Sequence, residues 1–414
     1  MTRRAVAAPT APAGVAAGLA RLTAVDALRG LAMIVMALDH TREFLHADAM
    51  RFPADDLALT TPLLFLTRWV THLCAPVFVF TAGMGARLRM DRAGASPGQV
   101  SRYLWTRGVW LILVELTVMR LAMNFTFDLR YPVLLIILWA LGWSMIVLAA
   151  LVHLRPPVVG ALGLTVIVLH NTLDTLDTVW PEQLGALAWL WRVLHQPGVI
   201  SLGGVTAVTG YPLLPWMGVM AAGFWAAEIY HWQPARRRRA LHLTGAACIA
   251  GFIALRVLNL YGDPAPWSTQ PTTVFTALSF LNTTKYPPSL SFLLMTLGPA
   301  LLCLAGLERA ALGNGHPLVV FGRVPFAYYV VHFWILHVTA SVVAFARYGS
   351  ASFTSLWHPL PSMGGARELF PSDLGLSLGA VYLAWTLLAV ALYPLGVWLA
   401  RMKARRRHWW LSYL

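Results

Sequence analysis

Ionisable side chains lie inside the most apolar stretches of this 414-residue sequence, and the first stretch holds several of them. Arg29 and His40 are eleven positions apart, so a helix places them on one face about 16 Å from each other. Ionisable groups within a bilayer cost free energy and usually mark a site, a proton pathway or paired partners. A neutral histidine beside a carboxylate, here His40 beside Asp39, has the chemistry of a general base.

The charged residues of this first stretch could instead have a purely structural role. In that case Asp26 pairs with Arg29 and Asp39 pairs with Arg42, each at one surface of the membrane. Two such pairs on one segment, together with an arginine and a histidine on a shared face, favour a functional site over this alternative.

Two further apolar stretches present the same residue types. Arg68 and His72 are one helical turn apart and are expected to face one cavity, where either could stabilise an oxyanion or bind an anionic substrate. Tyr328 and His332 also share a helix face. His337 points elsewhere and is interpreted as a structural histidine, so His332 alone joins the candidate site.

Several other chemistries are excluded by the sequence. No HExxH pair, EF-hand loop, nucleotide-binding P-loop or GxSxG nucleophile elbow occurs, so we expect no metal in the site. The three cysteines, Cys74, Cys248 and Cys303, stand singly in apolar runs and are interpreted as small buried apolar residues.

The composition predicts a polytopic membrane protein. Hydrophobic residues make up 58% of the chain, charged residues 12%, and the mean hydropathy is +0.64. Apolar runs of about 20 residues predict an all-α bundle of membrane-spanning helices. The net charge of +14 is concentrated at segment ends, which is typical of topology signals and argues against a nucleic-acid partner.

The hydrophobic pattern predicts about ten transmembrane helices. Residues 1–20 are expected to form a disordered cytoplasmic tail, residues 21–402 the transmembrane domain, and residues 403–414 a basic cytoplasmic tail. Basic residues alternate between connections so that both termini are predicted in the cytoplasm. The segment 183–203 is predicted to form either an interfacial helix or a re-entrant helix. The predicted spans are 24–45, 61–88, 102–124, 131–153, 156–172, 210–232, 238–260, 286–307, 316–345 and 375–401.

Several of these residues resemble a known family. The run from Asp26 to Arg42 and the run from Arg68 to Gly83 are similar to bacterial relatives of heparan-alpha-glucosaminide N-acetyltransferase. Further similarity lies in Pro215-Trp216-Met217-Gly218, Lys285-Tyr286-Pro287-Pro288-Ser289 and the run from Gly322 to His332. The spacing of Arg29 and His40 also resembles the opening pair of the acyltransferase-3 family, which suggests one transmembrane acyltransferase superfamily.

The resemblance implies transfer of an acetyl or other acyl group from cytoplasmic acyl-CoA to an extracytoplasmic acceptor, an envelope sugar, in a bacterial inner membrane. It implies that His40 is the base, while His46 remains an alternative base, and that Arg29 and the inner basic residues hold acetyl-CoA. The chemistry of the residues agrees, because the carboxylate of Asp39 could orient the His40 ring. Direct transfer and a transient acyl-histidine are both compatible with the resemblance. Together, the residues and the resemblance predict Arg29, Arg42, Arg68, His72, Lys285, Tyr328 and His332 as substrate-binding residues.

Two other functional classes compete with acyl transfer. A secondary transporter or flippase could use the same intramembrane residues as a proton relay, but the paired inverted repeats of such proteins are not found. A sensory or scaffold protein would leave the inward charges unexplained. The sequence leaves the oligomeric state open, with a dimer among the options.

Overall fold

The computed structural model describes residues 22–406, and 73% of these residues are helical. The predicted tail at 1–20 and the residues from 407 onward lie outside the described residues. The first half contains α1 (Thr23–Leu45), α2 (Pro62–Thr71), α3 (Cys74–Ala93), α4 (Pro97–Val114), a π-helical turn (Glu115–Met119), α5 (Arg120–Asn124), β1 (Val133–Leu135), α6 (Ile137–Leu151), α7 (Pro156–Leu169), α8 (Trp180–Leu184), α9 (Ala188–Leu194), β2 (Gly198–Leu202) and β3 (Val205–Thr209).

The second half is also built mainly of helices. It contains α10 (Leu213–Ala226), α11 (Pro234–Leu258), α12 (Thr273–Leu281), α13 (Leu290–Ala310), α14 (Pro317–Arg323), α15 (Pro325–Tyr348) and α16 (Leu378–Arg405). The helix α16 continues past the predicted boundary at residue 402, because Lys403 and Arg405 occupy its last turn.

The protein is a membrane protein. Six helical segments within residues 22–406 are long and apolar enough to cross a bilayer: Pro62–Asp91, Pro156–Leu176, Pro234–Leu258, Leu290–Ala310, Pro325–Phe353 and Leu378–Arg405. Each of the other four predicted spans also contains helix, in α1, α4, α6 and α10. The helix α1 is long enough to span but carries Asp26, Arg29, Asp39 and Arg42 along its length.

Two predicted spans are interrupted next to a proline. The span 61–88 breaks into α2 and α3 at His72, and Pro76 has no N–H to donate to the carbonyl of His72 four residues earlier. The span 316–345 breaks at Val324, whose backbone leaves the helical region (φ −129°, ψ 40°) before Pro325. The predicted ninth span is therefore two helices, α14 and α15.

A small sheet qualifies the all-α prediction. Strands β1, β3 and β2 lie side by side, with β1 parallel and β2 antiparallel to β3. Gly203 and Gly204 join β2 to β3 with φ of +56° and +81°, a conformation that glycine adopts without strain. The segment 183–203 thus forms α9 and β2, and the seven residues of α9 are too few to cross a bilayer.

The helix α1 lies at the centre of the bundle, where it contacts α3, α13, α14, α15 and α16. Its closest neighbour is α14, because glycines let the two backbones touch. A Cβ on Gly30 would overlap the carbonyl oxygen of Leu318, and a Cβ on Gly322 would overlap the carbonyl oxygen of Asp26. This contact fixes α1 against the hairpin formed by α14 and α15.

Candidate active site

One stripe of α1 carries the residues of the candidate site. Arg29, Met33, Met36, His40 and Phe44 follow one another at intervals of three or four positions, so they project from the same face of the helix. Arg29 lies near the beginning of the stripe, His40 lies beyond its middle, and Phe44 lies at its end. The two chemically distinct groups are separated by about 16 Å of helix.

A cavity of about 290 Å³ follows the first half of this stripe. Arg29, Arg89 and Arg107 border it, and between them and Tyr329 its wall is mainly hydrocarbon, including Met33 and Met36. We call it the arginine cavity. Its shape and lining suit a long ligand with an anionic end and a less polar stem.

The three guanidinium groups are held in place by neighbouring side chains. Arg29 donates to the hydroxyl oxygen (3.1 Å) and the carbonyl oxygen (3.3 Å) of Thr81, and lies 3.5 Å from a carboxylate oxygen of Asp26. Arg89 lies 4.2 Å from the ring centre of Tyr103, and Arg107 lies 5.9 Å from the same ring. Tyr103 thus orders two of the cavity's cations through cation–π contacts.

His40 forms a dyad with His332. The distance from His40 Nδ1 to His332 Nε2 is 2.7 Å, and His332 Nδ1 lies 2.9 Å from the carbonyl oxygen of Tyr328. A carbonyl oxygen only accepts, so Nδ1 of His332 carries a proton and Nε2 of a neutral His332 must accept from His40. In the neutral dyad the lone pair of His40 is therefore on Nε2, available as a base.

Aromatic rings surround the dyad. The ring centres of Phe333 and Tyr329 lie 4.4 Å and 6.1 Å from that of His40. Because Tyr329 also lines the arginine cavity, one ring separates the deep part of that cavity from the imidazole. His332 is fully buried while His40 is only half-buried, so His40 is the member of the dyad that borders open space.

Asp39 pairs with arginines, including the Arg42 of the structural alternative, and not with His40. Its carboxylate contacts Arg68 and lies 3.0 Å from Arg42, and Glu43 lies 3.6 Å from each of these two arginines. Consecutive helical residues diverge by about 100°, so Asp39 and His40 point to different sides of α1. The expectation that Asp39 orients His40 is corrected: His332 binds the ring, and Asp39 belongs to a buried ion cluster.

Lys285 and Tyr286 extend this ion cluster. The Lys285 ammonium lies 5.1 Å from the Tyr286 ring centre, and its charge is within electrostatic reach of Asp39 and His40. The Tyr286 hydroxyl lies 3.5 Å from that of Tyr211. The candidate residues Arg42, Arg68 and Lys285 thus belong to one cluster of charges around Asp39, with two tyrosine rings beside it.

His72 and Tyr328 are buried, and each has one polar side-chain atom without a hydrogen-bond partner among residues 22–406. The ring of His72 packs 5.4 Å from that of Phe292, and its Nδ1 has no hydrogen-bond partner within the described part of the chain. The Tyr328 hydroxyl likewise has none among residues 22–406. Tyr328 contributes to the site through its carbonyl, which fixes His332.

His46 follows the end of α1 and lies outside the dyad. It is buried beside the segment around Leu376, and burial lowers the pKa of its imidazole below the usual value. His337, which the sequence assigns a structural role, lies 2.7 Å from the carbonyl oxygen of Ala122 through Nδ1 and stacks on Phe125 at 3.9 Å.

Two deep ionisable residues of the third predicted span, Glu115 and Arg120, bind backbone groups. Glu115 accepts from the N–H groups of Leu138 (2.8 Å) and Trp139 (3.1 Å) at the beginning of α6. Arg120 donates to the carbonyl oxygens of Asp128 (2.7 Å) and Tyr131 (3.2 Å).

One further group of potential metal ligands occurs within residues 22–406. Asp174, Asp177 and His195 bring ligand atoms within 4.8 Å of one another. His195 lies 3.4 Å from Asp174, 3.3 Å from Asp177 and 3.0 Å from the carbonyl oxygen of His170. Both ring nitrogens of His195 therefore have partners of their own, and the group ties α9 to the preceding turn.

Several residues of the site were not predicted from the sequence. Arg89 belongs to the basic clusters at segment ends that are typical of topology signals, and Arg107 lies within a predicted span, where a cation is a functional signal. Tyr329 and Phe333 stand next to nominated residues but carry no sequence signal of their own, because aromatic residues are common in apolar helices.

Comparison with known families finds one that matches this chain. The model of the heparan-alpha-glucosaminide N-acetyltransferase catalytic family matches residues 21–261, more than half of the chain. The match includes His40, the ion cluster on α1 and α2, and all three arginines of the arginine cavity. Lys285 and His332 lie beyond it. No curated protein matches the chain significantly.

Proposed function

The chain belongs to the heparan-alpha-glucosaminide N-acetyltransferase catalytic family, and we propose that it transfers an acetyl group from cytoplasmic acetyl-CoA to an extracytoplasmic sugar. In this proposal ten helices cross a bacterial inner membrane, and both termini lie in the cytoplasm. The feature that best supports it is the arrangement on α1, where a cavity bordered by three arginines leads to a histidine dyad.

The arginine cavity is the proposed donor site. Arg29, Arg89 and Arg107 would hold the phosphates of CoA by charge-assisted hydrogen bonds. The pantetheine arm would follow Met33 and Met36 toward Tyr329, which places the thioester next to His40. The fit rests on the separation of cations and imidazole by three helical turns, a length that an extended arm can span.

The dyad supplies the proton transfer. The amino or hydroxyl group of the acceptor attacks the thioester carbonyl, and its proton passes to Nε2 of His40. The C–S bond then breaks, and the same proton goes to the thiolate, so that CoA leaves as the thiol. While His40 is protonated, its Nδ1–H bond to His332 is charge-assisted and stabilises the imidazolium, as a carboxylate does in a catalytic triad.

The ion cluster is the proposed acceptor side. Arg68 and Lys285, whose charges act on His40, would stabilise the oxyanion of the tetrahedral intermediate. The rings of Tyr211 and Tyr286 offer a surface for a sugar, whose hydroxyl groups can bond to Glu43 and Arg42. His46 has no comparable neighbourhood, since its ring lies beyond the dyad at the end of α1.

The deciding experiment uses purified protein, radiolabelled acetyl-CoA and an amino sugar. We expect transfer by the wild type, and His40→Ala should remove turnover while leaving acetyl-CoA affinity within about twofold in calorimetry. Loss of activity is expected to be about 10²- to 10⁴-fold, the contribution of a positioned base. If the wild type binds no acetyl-CoA and instead moves protons or a solute in vesicles, the protein is a transporter and the proposal fails.

A further inference from the structure

A second cavity of about 350 Å³ lies at the far end of the stripe on α1. Phe44 and Leu45 form its wall on α1, His337 and Phe345 form its wall on α15, and Leu360 and Leu376 cover it. Its lining is almost entirely hydrocarbon and aromatic, in contrast to the arginine cavity. We call it the apolar cavity.

The apolar cavity is continuous with the membrane-facing surface. Val338, Val342 and Phe345 line it, and they are 48%, 61% and 50% exposed on α15, a helix long and apolar enough to span the bilayer. Exposed aliphatic and aromatic side chains on such a helix face hydrocarbon. The same side chains therefore face both lipid and cavity, so a lipid chain can enter sideways without crossing water.

Only one layer of rings separates the apolar cavity from the dyad. The ring of Phe333 lies 4.4 Å from that of His40 and 5.5 Å from that of Phe44, and Phe44 lies 5.4 Å from His337. The two cavities thus approach His40 from opposite ends of one helix face. A group that fills the apolar cavity would end within one side chain of the base.

The end of α1 is polar on one side and apolar on the other. Arg42 and Glu43 point into the ion cluster, while Phe44 and Leu45 line the apolar cavity. An amphiphilic ligand matches this division, with its polar head among the charges and its chain among the rings. A purely water-soluble acceptor would leave the apolar cavity unused.

We propose that the apolar cavity binds the hydrocarbon chain of a lipid-linked sugar, so that the acceptor is drawn from the membrane leaflet that borders it. This inference rests on the proposed function for its acetyl-transfer readout. The binding of the chain itself can be tested separately, because it requires no reaction at His40.

Narrowing the apolar cavity provides the test. Ala344 lines it, so Ala344→Phe should fill part of it, whereas Ala346→Phe adds the same bulk at an exposed position of the same helix outside the lining and serves as the matched control. With methyl and dodecyl glycosides of glucosamine as acceptors, the wild type should prefer the dodecyl compound by about tenfold or more in kcat/KM. Ala344→Phe should lose this preference and retain activity on the methyl compound, and Ala346→Phe should keep the preference.

A photoactivatable dodecyl glucosaminide gives a readout independent of activity. Cross-links should map to α15 and the segment 349–376 in the wild type and in His40→Ala, and should decrease in Ala344→Phe. If the cross-links appear at these positions but no acetyl group is transferred, the lipid site is supported and the proposed function is rejected. Equal use of the two glycosides by the wild type, or cross-links spread evenly over the exposed helices, would overturn the lipid site. Equal labelling by dodecanol would also overturn it, because the cavity would then hold any lipid chain.

Discussion

His40 Nδ1 and His332 Nε2 lie 2.7 Å apart although 292 positions separate them in the chain. The carbonyl of Tyr328 fixes the proton of His332 on Nδ1, so this single bond determines the tautomer of His40. In the proposed mechanism the base is thus prepared by a neutral neighbour instead of a carboxylate, and His332 is a positioning residue, because it touches the base and not the reacting atoms.

The first prediction concerns this positioning. His332→Ala should lower kcat by about tenfold to 10²-fold and leave the KM for acetyl-CoA nearly unchanged, since the base remains but its tautomer is no longer selected. His332→Gln should recover part of the loss, because a side-chain amide oxygen can accept from Nδ1–H of His40. The measurement is a steady-state pH profile, whose acid limb should move in His332→Ala.

His170→Gln is the matched control, since His170 is a buried histidine that bonds to the carbonyl oxygen of Ile167 (3.0 Å) and lines neither cavity. Its kcat and pH profile should stay close to the wild type. Equal damage from the two substitutions would show that loss of any buried histidine disturbs the protein, and the positioning role would be rejected.

The second prediction concerns the donor phosphates. Arg89→Ala and Arg107→Ala should each raise the KM for acetyl-CoA by about tenfold, as expected for loss of a charge-assisted contact. The KM for S-acetyl-pantetheine, which lacks the nucleotide, should not change. A comparable rise of KM for acetyl-CoA and for S-acetyl-pantetheine would show that these arginines do not bind the phosphates.

The third prediction separates stability from chemistry at Asp39. This carboxylate is buried between Arg42 and Arg68, so Asp39→Asn leaves two buried cations with less compensation and should cost about 3–5 kcal/mol. We expect a clear decrease of the unfolding temperature in detergent. The exposed pair of Asp48 and Arg51 (3.8 Å) supplies the control, because Asp48→Asn should cost less than about 1 kcal/mol. An unchanged unfolding temperature with turnover abolished would instead assign Asp39 to the reaction.

The fourth prediction concerns pH and His46. Burial lowers the pKa of this imidazole in the folded protein, so the unfolded chain binds more protons once the pH falls below about 6.5. The stability that His46 contributes is therefore complete at higher pH and is lost as the pH falls through the folded pKa. When the pH is lowered from about 7.5 to about 5.5, the unfolding temperature of His46→Gln should decrease less than that of the wild type. The exposed His242 provides the control substitution, and a His46→Gln curve parallel to the wild type would contradict the prediction.

Much of the helical fold could be predicted from the sequence, because lipid requires long apolar segments and each of the ten predicted spans contains helix. The breaks at His72 and Val324 could also have been predicted from Pro76 and Pro325. The sheet was predictable only in part. Gly203 and Gly204 are a local signal for the hairpin of β2 and β3, whereas β1 depends on pairing with residues of β3 about 70 positions away.

The candidate site was predictable in its residue types but not in its pairing. His40, His332 and Arg68 were nominated from their positions within apolar segments. Their partners depend on which way each side chain turns in the bundle, and the neighbour of Asp39 in sequence is not its neighbour in space. The arginine cavity combines residues of α1, α3, α4, α6 and α15, so no local pattern could have indicated it.

The contact between Gly30 and Leu318, with its counterpart between Gly322 and Asp26, limits how this protein can diversify. Any side chain at these glycines would push α1 away from α14 and shift the start of α15, which carries His332. The distance between His40 and His332 therefore depends on the presence of both glycines. Met33 and Met36 face the arginine cavity and carry no such constraint, so a new preference for donor size is expected to arise by exchange of these side chains while the helix contact stays the same.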